Sequence, residues 1–268
     1  MMRKIFALVK KDFLVEASYK LAFLFNLFSV CASLLVYFFI DKLFSSTISD
    51  HLRPFEVGYF AYVLLSMAFF SYIGVGIGSF AVRIRQEQMQ GTLESLLLTP
   101  TKTWVLLGGM ALWNIIFATL DLCVYLILGV FLFGLDFSRV NVVSALAVLL
   151  LSIISFGSLG IFSASFILVF KRGNPVGWVL STLEGLLGGV YFPVTVLPMG
   201  LQIAARCFPI TYAVEAMQLA VYRGYSCKEI GPQLLALCLF CLGLVPLSIL
   251  SFNRALKKAR QQGSLSQY

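Results

Sequence analysis

Apolar residues fall in long blocks along this chain, and the polar residues between them are bunched rather than interspersed. The blocks run over residues 21–40, 57–82, 104–134, 140–170, 176–192 and 230–252. A helix needs roughly 20 apolar residues to cross the hydrocarbon layer. The pattern therefore predicts an all-α polytopic membrane protein with six transmembrane helices. The third and fourth blocks exceed that length, so their ends project beyond the lipid or the helices tilt. Asp136 and Arg139 mark a tight turn between them, and Lys171-Arg172-Gly173-Asn174-Pro175 has the charges and breakers of a second turn. The fifth block is short and rich in glycine (Gly185, Gly188, Gly189) and stops at Phe192-Pro193. Gly74, Gly76 and Gly78 in the second block read as sites of close helix packing or local flexing.

Three segments fit neither a span nor a simple loop. Residues 1–20 place Phe6, Val9 and Phe13 at helical spacing with Lys4 and Lys11 opposite. That is the pattern of an amphipathic helix lying in the membrane interface, with an exposed charged tail as the alternative. Residues 193–229 hold two partly apolar pieces separated by Pro209, each too short to cross. Helices that enter the membrane and turn back would account for them, as would an outer loop with two surface helices. Residues 83–102 are a polar, charged island. On a helix, Glu87, Gln90 and Glu94 share one face, with Leu93, Leu96 and Leu97 beside it. Gly91-Thr92 permits a break with Thr92 as cap, and Pro100 ends the element. Such an elbow could pass a push from a cytoplasmic partner into the spans, or be an ordinary inner loop.

Composition sharpens this picture. The chain has 268 residues, 60% of them hydrophobic and only 12% charged, against about 25% charged in soluble domains. The missing charge implies a surface that meets lipid. The net charge of +8 is bunched between apolar runs with no basic stripe, which argues against nucleic acid as a partner. With the N-terminus inside, fourteen of the twenty Lys and Arg residues fall in segments on the inner side. The positive-inside rule then places both termini in the cytoplasm of a multi-pass cell-membrane protein.

The chemistry-bearing residues are few. Asp121 lies in the middle of the third block and Glu184 in the middle of the fifth, with no Lys or Arg at comparable depth. A charge there costs at least about 2.5 kcal/mol, so such groups face protein or a water-filled path. Both are candidates for a translocation path, and both could equally serve as structural hydrogen-bonding groups. Four cysteines (Cys31, Cys123, Cys238, Cys241) sit in apolar runs, while Cys207 and Cys227 share the 193–229 segment and could form a disulfide. No metal-binding spacing occurs, and His51 is the sole histidine. No Gly-x-x-x-x-Gly-Lys-Ser/Thr phosphate loop is present.

Two motifs carry a resemblance. Arg83, Arg85, Glu87, Gly91-Thr92-Leu93-Glu94, Leu96-Leu97, Thr99-Pro100 and Gly108 are similar to the central pattern of the ABC-2 family of membrane permeases. Gln88 stands where that family often has a charge. Phe208-Pro209-Ile210-Thr211-Tyr212-Ala213-Val214-Glu215-Ala216, ending in Arg223-Gly224, resembles the family's segment between the fifth and sixth spans, with Ile210 in place of Leu. The resemblance implies one transmembrane domain over residues 1–268 that acts as a transport subunit of an exporter, not as an enzyme. It implies a separate ATP-binding cassette ATPase, which holds the ATP and Mg while this chain binds no cofactor. A second copy or a similar permease completes the membrane half within the lipid. By position, Arg85, Glu87, Gly91, Thr92, Glu94 and Pro100 match the coupling segment, and Pro209, Tyr212 and Glu215 match the outer re-entrant segment. The resemblance leaves the cargo open. Two other functions compete with it: an ion-coupled secondary carrier using Asp121 and Glu184, and a membrane scaffold that transports nothing.

Overall fold

A computed structural model describes residues 20–89, 103–170 and 175–261, together with Lys10 and Leu14. The interfacial helix expected over 1–20 and the elbow from Gln90 to Lys102 fall almost entirely outside the described residues. Eight α-helices are seen among the described residues: α1 (Lys20–Leu52), α2 (Tyr59–Met89), α3 (Thr103–Phe133), α4 (Val142–Phe170), α5 (Pro175–Leu187), α6 (Met199–Ala205), α7 (Pro209–Tyr222) and α8 (Gly231–Gln261). Single 3-10 turns at Arg53–Phe55 and Val194–Val196 precede α2 and α6.

The protein is an all-α polytopic membrane protein. Among the described residues, Ile115–Phe133, Val142–Val169 and Gly231–Ala259 are long and apolar enough to cross a bilayer by length and composition. Their outward faces present Phe131 (81% exposed), Val143 and Leu242. Leaving such side chains in water forgoes about 1.5–3 kcal/mol each, so these faces belong against lipid. Several boundaries differ from the apolar blocks. The first helix continues past residue 40 to Leu52, and the last continues past 252 to Gln261. Both overruns are polar, and a helix persists there on its backbone hydrogen bonds once the apolar part has nucleated it. The fifth helix stops early, at Leu187 rather than 192. At 13 residues it is shorter than a full span requires.

Helix α2 is the hub and packs against α1, α3, α4, α5 and α7. Its first half is apolar on every side, and Phe60, Tyr62, Val63, Leu64, Leu65, Ala68, Phe69 and Ile73 are all buried. A helix apolar all round belongs in a core. Val30 and Leu34 of α1, one turn apart, close one side of it with Tyr125 of α3. Gly129 of α3 lets the crossing with α2 tighten, since a Cβ there would stand 3.1 Å from the Leu64 side chain. Gly74 and Gly78 do not have the packing role expected of them, because no described atom lies within 4 Å of a Cβ at either. Helices α4 and α8 form the most extensive pair. At the far end of the bundle, Phe80 and Ile84 of α2 join Ala164, Ile167 and Leu168 of α4 and Phe252 and Ala255 of α8 in a second cluster.

Helix α7 begins with Pro209 in its first turn, where a missing N–H costs nothing, after an extended Phe208. It is buried on nearly every side by α2, α4 and α8, whereas α6 lies at the surface with Met199 and Ile203 exposed. The two are joined where the Thr211 hydroxyl donates to the Ala205 carbonyl at 2.7 Å. Cys207 and Cys227 are free thiols and not a disulfide. Cys207 lies near the Ile203 carbonyl (3.7 Å) and Cys227 near the Ser144 hydroxyl (3.5 Å).

Candidate functional site

The functional geometry centres on Tyr62. Its hydroxyl donates to the Gly189 carbonyl at 2.6 Å, which ties the end of α5 to α2. Its own carbonyl accepts from Gln218 Nε2 of α7 at 2.8 Å. The same Gln218 amide donates to Ser66 at 2.7 Å, one turn along α2. One turn along α7, the Tyr222 hydroxyl donates to the Ala61 carbonyl at 2.7 Å. These groups are buried: Gln218 is 1% exposed, Tyr62 2% and Tyr222 7%. In a buried, low-dielectric setting such bonds fix helix positions more firmly than surface ones.

Two glycines make this junction fit. A Cβ at Gly188 would overlap the Glu184 carbonyl and the Ile210 side chain of α7. Gly189 sits at φ +78°, a left-handed conformation that glycine adopts without steric cost. The apolar run hid this, because Gly188 to Phe192 look like span on hydropathy alone.

A clasp closes the same end of the bundle. Glu56, between α1 and α2, pairs with Arg223 after α7 and, at 3.8 Å, with Arg139 between α3 and α4. Arg223 also lies over the Tyr225 ring, 5.4 Å from its centroid. The Asn141 backbone N–H donates to the Ala220 carbonyl at 2.9 Å, and Asn141 Oδ1 caps α4 by accepting from Ser144 N at 3.1 Å. Gly224, at φ +65°, allows the Arg139 carbonyl to approach within 2.5 Å of where a Cβ would stand. Two exposed carboxylates order the neighbouring turns. Asp136 accepts from the Ser138 amide and hydroxyl, and Glu229 from those of Ser226. These hydrogen bonds, the backbone one first, hold both carboxyls below their ordinary range.

The two acids of the apolar runs flank one turn of α2. Asp121 of α3 accepts from the Ser71 hydroxyl at 2.8 Å. Next to Glu184, Gly185 faces the Phe70 ring, which would stand 3.2 Å from a Cβ there. Both therefore lie at the depth of Phe70-Ser71, in different settings. Asp121 is half-buried and bonded. Glu184 is 0% exposed, and among the described residues neither of its carboxylate oxygens has a hydrogen-bond partner.

Pro209, Tyr212 and Glu215 share α7. Pro209 is buried in the first turn. Tyr212 packs on Phe240 of α8 with ring centroids 6.1 Å apart. Glu215 accepts from Gln233 Nε2 at 3.1 Å. Tyr212 and Glu215 also line a cavity of about 240 Å3 with Tyr62, Gly189, Gln202 and Arg206.

Comparison with known proteins settles the family. The model of the family described as "ABC-2 type transporter" matches residues 3–222, most of the chain. The chain belongs to that family. It is also similar to the putative transport permease YvfS of Bacillus subtilis (strain 168), with 25% identity over 190 residues covering 69% of this chain and 73% of that protein. As an ABC-2 permease it is a membrane transport subunit and not an enzyme, and members of the family typically pair with an ATPase subunit.

Of the residues that resemble this family's coupling segment, two are described. Arg85 is exposed and Glu87 is 9% exposed, both on the last turns of α2. Gly91, Thr92, Glu94 and Pro100 lie outside the described residues. Helix α2 spans 31 residues, and the stretch from Tyr62 to Glu87 covers about 38 Å at the helical rise. Gln218 was not among the residues singled out in the sequence. Its signal was a lone amide on the buried Thr211, Val214, Gln218, Tyr222 face of α7.

Proposed function

We propose that this ABC-2 permease is the membrane half of an ATP-driven exporter whose ATP is hydrolysed by a separate cassette subunit docked on residues 83–102. Arg85, Glu87, Gly91, Thr92, Glu94 and Pro100 form the docking platform. Helix α2 is the transmitting rod. One observation carries this reading: a single 31-residue helix holds Arg85 and Glu87 at one end and the Tyr62–Gln218 junction at the other. An α-helix is stiff along its axis, so a displacement at Glu87 is carried towards α7 and the Gly189 turn by one continuous helix. Both termini are cytoplasmic on the charge bias. The six spans are α1 to α4, α5 with the chain to Pro193, and α8. Helices α6 and α7 form the outer re-entrant segment, with Pro209 starting α7 and Tyr212 and Glu215 facing the cavity. Asp121 and Glu184 line the path at mid-depth. A second permease copy covers part of the apolar outer surface.

The test is co-purification with the cassette subunit. Glu94→Arg, which reverses the charge at that position, is expected to abolish ATPase association while membrane insertion stays normal. Undiminished association with wild-type ATP turnover overturns the proposal. The proton-coupled reading draws on a separate observation, the unpartnered Glu184. In proteoliposomes holding the complex, Glu184→Gln should leave ATP turnover independent of an imposed pH gradient, as in the wild type. A gradient dependence that Glu184→Gln abolishes would favour the carrier.

A further inference from the structure

A groove of about 430 Å3 runs between α4 and α8, away from the Tyr62 junction. Its size falls within the range of small-molecule sites, and its two ends differ in chemistry. One end is walled by Phe162 and Phe166, whose rings meet edge to face at 5.3 Å, and by Leu247 and Leu250. The other end is rimmed by Arg254 and Lys258, one helical turn apart on α8 and both exposed. Ser165 and Ser251 also line the groove, and the Ser165 hydroxyl is bonded to the Ile161 carbonyl of its own helix at 2.9 Å.

Charge decides what fits. Neither α4 nor α8 contains an Asp or Glu, and no carboxylate among the described residues pairs with Arg254 or Lys258. Arg254 is the first charged residue after the apolar run of α8, which places it where hydrocarbon gives way to headgroups. Leu247 to Lys258 covers about 16 Å at the helical rise, long enough to hold both an acyl segment and a headgroup. A protein helix seated here would bury two cations without an acid to meet them, unless it brought its own.

We propose that this groove binds one anionic phospholipid, with its phosphate on Arg254 and Lys258 and an acyl chain along Phe162, Phe166 and Leu250. Basic pockets between helices on the cytoplasmic side take anionic headgroups in this way. Assignment to the inner leaflet rests on the topology proposed above; the groove's chemistry does not.

Native mass spectrometry of the full chain in detergent, with phosphatidylglycerol and phosphatidylcholine of equal chain length, tests the site. One phosphatidylglycerol should be retained in preference to phosphatidylcholine. Arg254→Gln with Lys258→Gln should weaken phosphatidylglycerol roughly 30-fold, as expected for two basic residues beside an anionic lipid, and leave phosphatidylcholine unchanged. Ser251→Trp, which fills the groove from its partly exposed wall, should lower both. Glutamine removes the charge while keeping a polar, helix-compatible side chain, and an unshifted melting temperature shows that the double variant is folded. Equal retention of the two lipids, or unchanged phosphatidylglycerol affinity in the double variant, overturns the proposal. So does cross-linking of a cysteine at Ser251 to the ATPase or to a second permease copy, which would mean that protein fills the groove. Binding in detergent has no sidedness, so labelling of Lys258 from outside the cell would remove the topology and leave the lipid site standing.

Discussion

Replacing Gln218 by Leu and Tyr222 by Phe cuts the ties between α7 and α2 without removing much volume. Three hydrogen bonds are lost: Gln218 to the Tyr62 carbonyl and to Ser66, and Tyr222 to the Ala61 carbonyl. Interhelical hydrogen bonds within membranes average about 0.6 kcal/mol, with a maximum near 1.7. The average gives a total of about 2 kcal/mol. The lower part of the range applies for two reasons. The Ala61 and Tyr62 carbonyls also accept bonds within α2, so neither is orphaned. Leucine also removes Gln218 Oε1, which is buried with no partner. A loss of about 2 kcal/mol raises the open population of α7 about 30-fold. Hydrogen exchange of the double variant in nanodiscs should therefore show residues 209–222 exchanging about 30-fold faster than in the wild type, with the 59–75 part of α2 unchanged. ATPase association should persist while coupled transport falls. Unchanged exchange in 209–222 would refute the assigned role of these bonds. A uniform rise across all helices would show that the pair supports the whole bundle and not the α2–α7 link.

Gly188→Ala should destabilise by about 1–3 kcal/mol, as for other overpacked positions, because its Cβ has no room beside Ile210. Gly200→Ala in α6, where a Cβ would meet nothing within 4 Å, should gain up to about 1 kcal/mol; thermal melts of both variants in detergent check the contrast. Glu56→Gln should lower the melting temperature only slightly, since Glu56 is 55% exposed and exposed ion pairs contribute under about 1 kcal/mol. That difference should vanish in high salt. Glu229 has a folded-state pKa below its unfolded value of about 4.3, so its support for the 226–231 turn is complete above that value and disappears as pH falls through the lower one. The margin in melting temperature of wild type over Glu229→Gln should therefore be present at neutral pH and close on acidification.

Helices α3, α4 and α8 were legible because long apolar runs leave no alternative to a helix that meets lipid. The start of α7 was legible at Pro209, where a missing amide and a fixed φ mark a helix boundary. The end of α5 was not. Hydropathy averages over Gly188-Gly189-Val190-Tyr191 and cannot register that Gly188 is pressed against Ile210, far along the chain. Gly74 and Gly78 read as sites of packing or flexing, yet no described atom lies within 4 Å of a Cβ at either, since glycine spacing does not say which helix stands opposite. Gln218 illustrates the harder limit. Its partners lie more than 150 residues away, and an amide in an apolar stripe shows that a bond is needed without showing with whom. Asp121 and Glu184 were visible as acids inside apolar runs, but only the folded bundle shows that Asp121 is bonded to Ser71 while Glu184 has no hydrogen-bond partner among the described residues.

The central claim is that the 83–102 elbow faces the cytoplasm and carries the ATPase. A single cysteine at Ser95, in a chain otherwise free of cysteine, should react with a membrane-impermeant maleimide in inside-out vesicles and stay unlabelled in intact cells. Bound cassette subunit should protect it. Labelling from the outside of intact cells would contradict the account.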